Sequence, residues 1–578
     1  MVVLIRKVSN NAVGPVRRNP KGSAFAGDLQ RRSSLEWNDH TALLAPCISS
    51  RKGSFAAMSD YEIGSGYSHL LKMSDISTIR QLLATGRDDA VAVSAPGRSP
   101  LTYKGLRENV DRTVAALSRA GIQGNERVAI VLPNGPEMAS AFVSIGSAAT
   151  TAPLNPAYQE QEFRFYLSDL GARTLVVEKG STSPAVSAAA DLGIPVLEIV
   201  AQDEAGSFEI IASENGESDA SIEFAEADDV ALVLHTSGTT ARPKIVPLSQ
   251  RNVCASARNI QQTLALEPDD RCMNIMPLFH IHGLIATILA TFSAGASVFC
   301  TPGFNALKFY SWLQETDPSW FSAVPTMHQA ILTRANANRD RLAKHSLRLI
   351  RSSSASLPAQ VMEELEQTFG VPVLEAYAMT EASHQMTCNP LPPKERKPGT
   401  VGIAAGPEVA VMNNEGNLLP SGSTGEVVIK GVNVTRGYEN NPQANAQSFT
   451  NGWFRTGDQG VMDSEGYLSI TGRLKEIINR GGEKISPREV DDVLMDHPAV
   501  AQVVTFAMPD KKLGEEIAAA VVLREGAAAT DQDIREFASD RLAKFKVPRK
   551  ILFLDEIPKG ATGKLQRIGL ADKLGLTG

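Results

Sequence analysis

The five residues Val230-Ala231-Leu232-Val233-Leu234 form an unbroken apolar run that leads directly into His235-Thr236-Ser237-Gly238-Thr239-Thr240-Ala241-Arg242-Pro243-Lys244. A run of this kind predicts a strand covered on both faces, as in a parallel sheet. Beyond it, Ser249 can cap a helix whose apolar face is Val253, Ala257, Ile260 and Leu264, spaced by fours and threes. The order is therefore strand, small-hydroxyl loop, helix. Thr236, Ser237, Gly238, Thr239 and Thr240 offer hydroxyl and backbone N–H donors at high density, and Lys244 adds a cation. Such a loop can cradle phosphate. The Gly-x-x-x-x-Gly-Lys-Ser/Thr spacing is absent, which disfavours a kinase-like or GTPase-like reading. Taken alone, the loop is equally readable as a polar surface turn.

A chain of 578 residues exceeds what one compact core supports, so two or more domains are expected. A net charge of −7 argues against a nucleic-acid partner, whose first sign is a basic patch. No apolar run reaches the ~18 residues needed to span a bilayer. The five cysteines, Cys47, Cys254, Cys272, Cys300 and Cys388, lack Cys-x-x-Cys pairing or a histidine at metal-ligand spacing. Neither a zinc site nor a disulfide framework is expected, and a reducing compartment is the default.

Residues 1–72 read as an extension. The start is basic, with Arg6, Lys7, Arg17, Arg18 and Lys21 and no acidic residue before Asp28. Three readings stay open: an organelle transit peptide, a disordered tail, or a stretch upstream of a working start at Met58 or Met73. The terminal Leu-Thr-Gly is no Ser-Lys-Leu peroxisomal address. A cytoplasmic location is the expectation, with organelle import through the extension as the alternative.

From Ile76 onward strands alternate with helices. Val128 to Leu132 and Thr174 to Glu178 read as strands, with a small-residue helix from Glu137 to Ala149 between them. Further strands are expected at Ser297 to Cys300, Trp320 to Val324, Leu347 to Arg351 and Pro372 to Ala376. Helices are expected at Leu307 to Leu313, Met327 to Ala335 and Ala359 to Phe369. This alternation predicts an α/β fold with parallel sheets covered by helices, and ligands at the carboxyl ends of strands. Between Thr400 and Ile470 short alternating runs such as Gly425 to Ile429 predict a small antiparallel or barrel-like subdomain. Past Lys475, Ser486-Pro487-Arg488-Glu489 reads as a capping box opening a helix to about Met495. Strands Val500 to Ala507, Ile517 to Leu523 and Ile551 to Leu554, with a helix Asp531 to Leu542, complete a compact α+β unit.

Four further segments carry chemistry. Glu375-Ala376-Tyr377-Ala378-Met379-Thr380-Glu381 follows a strand; Trp453-Phe454-Arg455-Thr456-Gly457-Asp458 ends in a carboxylate able to accept two vicinal hydroxyls. Asn479-Arg480-Gly481-Gly482-Glu483-Lys484 allows close backbone approach, and Pro558-Lys559-Gly560-Ala561-Thr562-Gly563-Lys564 ends on a lysine. In isolation the first, second and fourth of these read as a helix cap, a turn aspartate and a solvated lysine. Together with the loop at Thr236, in this order, they resemble the adenylate-forming enzymes: acyl-CoA synthetases, luciferases and peptide-synthetase adenylation domains. The resemblance covers nearly everything beyond the first seventy or so residues. One departure is Ala241-Arg242 where that loop usually carries a glycine before x-Pro-Lys.

The resemblance implies a large N-terminal AMP-binding domain, residues 73–473, with two parallel-type sheets and a small β-barrel-like subdomain. A smaller mobile α+β C-terminal domain, residues 474–578, follows. ATP or AMP would be held by Thr236, Ser237, Gly238, Thr239, Thr240, Lys244, Ser354, Glu375, Ala376, Tyr377, Thr380, Asp458, Arg473 and Lys564. Tyr377 would stack on adenine, Thr380 would contact the α-phosphate and Glu381 would bind Mg²⁺, making Thr380, Glu381 and Lys564 the catalytic set. Asp458 and Arg473 would hold the ribose. Lys475 is the implied hinge, and Gly481, Gly482 and Glu483 would line the coenzyme A path. The implied substrates are ATP, coenzyme A and a small carboxylic acid, with Mg²⁺, in a monomer or weak homodimer.

Pro277-Leu278-Phe279-His280-Ile281-His282-Gly283 and Glu381-Ala382-Ser383-His384 border the implied acid pocket. Imidazoles with the hydroxyls of Ser352, Ser353, Ser354 and Ser356 suit a short, polar, doubly charged acid. With Arg242-Pro243-Lys244 and Ile478 to Pro487, the Glu375 segment through Asn389-Pro390-Leu391-Pro392 resembles the oxalyl-CoA synthetase branch. Oxalate is therefore the expected acid, held at its far carboxylate by His280, Ser354 and His384. Packed structural histidines remain the alternative for these residues. For the protein, the alternatives are a medium-chain or aryl acid ligase, a non-catalytic adenylate-binding protein and a peptide-synthetase adenylation domain.

Overall fold

The computed structural model describes residues 76–211, 223–236, 243–559 and 565–576. The expectations for residues 1–72, for Ser237, Gly238, Thr239 and Thr240, and for Lys564 lie outside these described residues.

Two sheets dominate. The first runs Phe208–Ile211, Val196–Ala201, Thr174–Glu178, Arg127–Val131, Thr150–Pro153, Val230–Thr236, Lys244–Ser249. Its five inner strands are parallel and its two edges antiparallel. The second runs Ile403–Ala404, His384–Cys388, Val373–Met379, Leu349–Ser353, Trp320–Ala323, Arg271–Asn274, Ser297–Cys300, Val91–Ser94, Leu101–Thr102. It is parallel from Val373–Met379 through Val91–Ser94. The strands Thr174–Glu178 and Ser297–Cys300 and the helix Ala359–Phe369 fall where apolar periodicity places them.

Helix Pro136–Gly146 is buried at every residue but Glu137 and touches strands of both sheets. Its alanines, serines and glycine make this possible, since a helix hydrophobic or small on every side has no solvent face. Apolar residues of both sheets meet there in one continuous core.

The strand-loop-helix order expected at Val230 is corrected. A further strand, Lys244–Ser249, returns antiparallel on Val230–Thr236 before helix Gln250–Thr263 begins. Its Ile245, Val246 and Leu248 are buried, and Pro247 is tolerated because this is an edge strand. Ser249 does cap the helix: its hydroxyl accepts from the Asn252 amide, and Asn252 Oδ1 accepts from the Ser249 amide.

Residues Glu408–Met412, Thr424–Lys430, Phe449–Thr450, Trp453–Met462 and Leu468–Arg473 form an antiparallel five-stranded sheet. A final α+β unit holds strands Ile478–Arg480, Glu483–Ile485, Val500–Asp510, Gly514–Leu523 and Lys550–Phe553 with helices Pro487–Met495 and Asp531–Ser539. Its capping box is half formed. The Ser486 hydroxyl accepts from the Glu489 amide at 3.4 Å, but the Glu489 carboxylate accepts from Lys546 instead of turning back.

Candidate active site

The implied site lies at the carboxyl ends of the second sheet. Strand Val373–Met379 delivers Tyr377 and Met379, then a single 3₁₀ turn, Thr380–Ala382, reverses the chain into strand His384–Cys388. Thr380 and Glu381 therefore sit at the tip of a tight strand-turn-strand. Ser383 and His384 carry φ of 50° and 105°, and nearby Ser354 carries 75°. Three non-glycine residues in left-handed conformations within one cluster mark strain held by the surrounding structure, which concentrates at functional sites.

Glu381 is buried, and its Oε1 accepts a 2.7 Å hydrogen bond from the Tyr438 hydroxyl. The Lys244 ammonium lies 4.1 Å from the centre of the same Tyr438 ring. Burial and the adjoining Glu381 carboxylate raise the Tyr438 pKa, so its hydroxyl remains a donor. Burial lowers the Lys244 pKa while Glu381 opposes that shift. The loop carrying Tyr438 is strapped down: the Thr435 amide donates to the Glu381 carbonyl, and Asn433 Nδ2 donates to the carbonyls of Ala382 and Gln385. Sequence reasoning missed this loop, since only long-range contacts bring it to the site.

Thr236 ends its strand and faces Lys244 across the ladder. One residue earlier, His235 Nε2 lies 3.0 Å from Asp169 Oδ2, and the His235 ring packs edge-on to Tyr166. The base of the signature loop is thus held from a neighbouring helix.

Asp458 is buried, with Arg473 Nε 2.8 Å from Oδ1 and the Tyr377 hydroxyl on Oδ2. Asp458 therefore joins the other two residues expected at the nucleoside. Glu375 is different: its buried Oε1 accepts from the Leu357 amide at 2.9 Å, and burial pushes its carboxyl up to about 7. Ala376 is likewise buried, its carbonyl accepting from the Ser353 hydroxyl.

At the implied acid pocket the imidazole paired with Ser354 belongs to His282. His282 Nδ1 lies 3.0 Å from Ser354 Oγ, and Nε2 lies 2.6 Å from Ser322 Oγ. The His282 ring is 5.1 Å from that of buried His384. His280, the residue expected in this role, is half-buried and its Nδ1 accepts from the His282 amide. His282 opens a fully buried π-helix, His282–Leu289, a form often found at functional sites. Below it lies Arg351, fully buried, with Nη1 3.5 Å from Ser322 Oγ and Nη2 3.1 Å from Gln385 Oε1.

Lys475 is exposed in the turn after strand Leu468–Arg473. Glu476, next to Lys475 in the chain, pairs with Arg567, which also pairs with Asp491. Gly481 and Gly482 form the tip of an exposed hairpin with φ of 59° and 101°, followed by exposed Glu483. Among the described residues no group of three His, Cys, Asp or Glu side chains could hold a metal, and no helix is long and apolar enough to cross a membrane. The four cysteines among them are buried and free.

Residues 81–439 match the AMP-binding enzyme family model and residues 489–564 match the AMP-binding enzyme C-terminal domain. The chain belongs to the AMP-binding enzymes. An oxalate–CoA ligase of Arabidopsis thaliana is 45% identical over 500 residues, spanning 85% of this chain and 97% of the relative. One of Saccharomyces cerevisiae is 42% identical over 517 residues, spanning 84% and 94%. Among solved structures, ATP-bound MatB from Rhodopseudomonas palustris matches with a TM-score of 0.78 at 28% identity, covering 86% of this chain and 98% of that one. This AMP-binding enzyme thus shares the two-part α/β architecture of a known adenylate-forming structure.

Proposed function

We propose that the chain, an acid–CoA ligase, takes oxalate as its acid and converts it to oxalyl-CoA. The observation that carries this is the 45% identity to an oxalate–CoA ligase across 97% of that relative's length. The cluster of His282, His384, Ser354 and Ser322 supports it, since buried imidazoles and hydroxyls serve a short polar acid and offer little to an alkyl chain.

In the first half-reaction the acid carboxylate attacks the α-phosphorus of ATP; the bond to the bridging oxygen breaks and diphosphate leaves. In the second, the coenzyme A thiol attacks the acyl carbon, giving thioester and AMP. Tyr377, Asp458 and Arg473 would orient the nucleoside. Lys244 and Thr236, at the foot of the signature loop, would meet the phosphates, and Thr380 the α-phosphate. Lys564 would offset the repulsion of two approaching anions and bind the developing transition-state charge. Turning of the C-terminal part about Lys475 would then bring Gly481, Gly482 and Glu483 to coenzyme A.

Glu381 fits Mg²⁺. This cation prefers carboxylate and phosphate oxygens and takes one or two protein ligands, and Glu381 is a single buried carboxylate steadied by Tyr438. Bound there, the ion would neutralise phosphate charge.

Diphosphate release measured with oxalate, malonate, a medium-chain fatty acid and coumarate, each with ATP and coenzyme A, tests the reading. Oxalate is expected to give the highest kcat/KM, and a poor rank for it would overturn the assignment.

A further inference from the structure

Arg351 is the one large charged side chain among the described residues that is wholly buried without a carboxylate within ion-pair distance. Its Nε has no hydrogen-bond partner at all. Burying an uncompensated cation is costly, so something must favour its retention. Burial lowers the guanidinium pKa to about 10, which still leaves it charged near neutral pH.

The surroundings give that charge a direction. A guanidinium can only donate, so the Ser322 oxygen accepts from Arg351 Nη1. Accepting from a cation makes the Ser322 hydroxyl a better donor, which favours the arrangement with its single proton toward His282 Nε2, 2.6 Å away. With Nε2 accepting, the ring proton sits on Nδ1 and donates to Ser354 Oγ at 3.0 Å. In that arrangement the Ser354 hydroxyl proton is available to a further acceptor, on a residue held at φ 75°. A donor-only group at one end therefore biases every link in one direction, which makes the other end a hydroxyl donor.

We propose that Arg351 is a positioning residue that sets this relay, Arg351 to Ser322 to His282 to Ser354, so that Ser354 donates to the second carboxylate of a dianionic acid. The idea rests on the oxalate reading for the identity of the acid. The carboxylate also supplies the negative charge that the buried guanidinium lacks in the free enzyme. Without Arg351 nothing biases Ser322 and His282 against the reverse polarity, in which Ser354 becomes an acceptor facing an anion.

The test compares Arg351→Met, Arg351→Lys and Ser322→Ala with the wild type in diphosphate release. Loss of one hydrogen bond to a charged group corresponds to roughly 10- to 100-fold. Arg351→Met and Ser322→Ala are expected to raise KM for oxalate by about that factor while KM for ATP stays within about threefold. Arg351→Lys, keeping the charge and the donor, is expected to recover at least half of the loss on a logarithmic scale. Arg351→Met is also expected to melt no lower than the wild type without ligand, since it removes an uncompensated buried charge. An unchanged oxalate KM in both Arg351→Met and Ser322→Ala overturns the relay, as does a loss shared equally by oxalate and ATP. If Arg351→Met fails to fold, Ser322→Ala alone decides. The wild-type lane separates the two ideas: inactivity with oxalate sinks the substrate reading. The variants are then scored on whichever diacid the wild type uses, and use of monoacids alone overturns the relay too.

Discussion

Replacing Tyr438 with phenylalanine removes one oxygen and little else. The ring that lies 4.1 Å from the Lys244 ammonium is kept, so the cation–π contact survives. What disappears is the 2.7 Å donor to Glu381 Oε1. A hydrogen bond to a charged group contributes about 1.5–3 kcal/mol, and removing a partner that orients a metal-binding carboxylate typically costs about 10–100-fold in metal affinity. Diphosphate release titrated with Mg²⁺ at fixed ATP should therefore show a midpoint displaced upward by at least about tenfold. Much of the wild-type rate should return at saturating Mg²⁺, and the melting temperature should change little. A midpoint that stays in place in a folded Tyr438→Phe protein would refute both the role of Glu381 and the orienting role of Tyr438.

Two other substitutions probe the frame around the site. Burial pushes Glu375 from 4.5 up to about 7, so the folded state favours its protonated form. That preference stabilises the protein fully below pH 4.5 and is lost as pH rises through about 7; the difference is worth about 3 kcal/mol. Glu375→Gln should therefore flatten the fall in melting temperature between pH 5.5 and 8, and parallel pH profiles for the two proteins would contradict this. At Gly402, with φ of 79°, an added Cβ would stand 2.0 Å from the Cys388 carbonyl carbon and 2.1 Å from the Asn389 nitrogen. Gly402→Ala should lose more than about 2 kcal/mol and melt well below Gly422→Ala, whose added carbon meets nothing within 4 Å; equal melting temperatures would refute the packing argument.

The alternation of strands and helices was readable because buried parallel strands are apolar runs and their covering helices are periodic. Lys244–Ser249 escaped notice: its Pro247 and its place directly after the loop made it look like a connector. The π-helix at His282 escaped for a different reason, since apolar spacing tuned to 3.6 residues per turn does not register a wider helix. That same winding decides which histidine faces Ser354, so His280 and His282 could not be told apart by adjacency in the chain. Gly283 lets the start of this helix press against the segment before it, because a Cβ there would lie 2.3 Å from the Pro277 carbonyl oxygen. Arg351 read as the last residue of a strand; only the three-dimensional neighbours reveal that its charge has no local counterpart. Tyr438 stands 57 residues from Glu381 in the chain, a separation at which no short motif can speak.

Asp458 already has both carboxylate oxygens engaged, by Arg473 and by Tyr377. Each of those oxygens keeps a second lone-pair site, so an arriving sugar adds its hydroxyls to a carboxylate whose orientation is already set. The acceptor need not be ordered at the moment of capture, and little side-chain entropy is lost there.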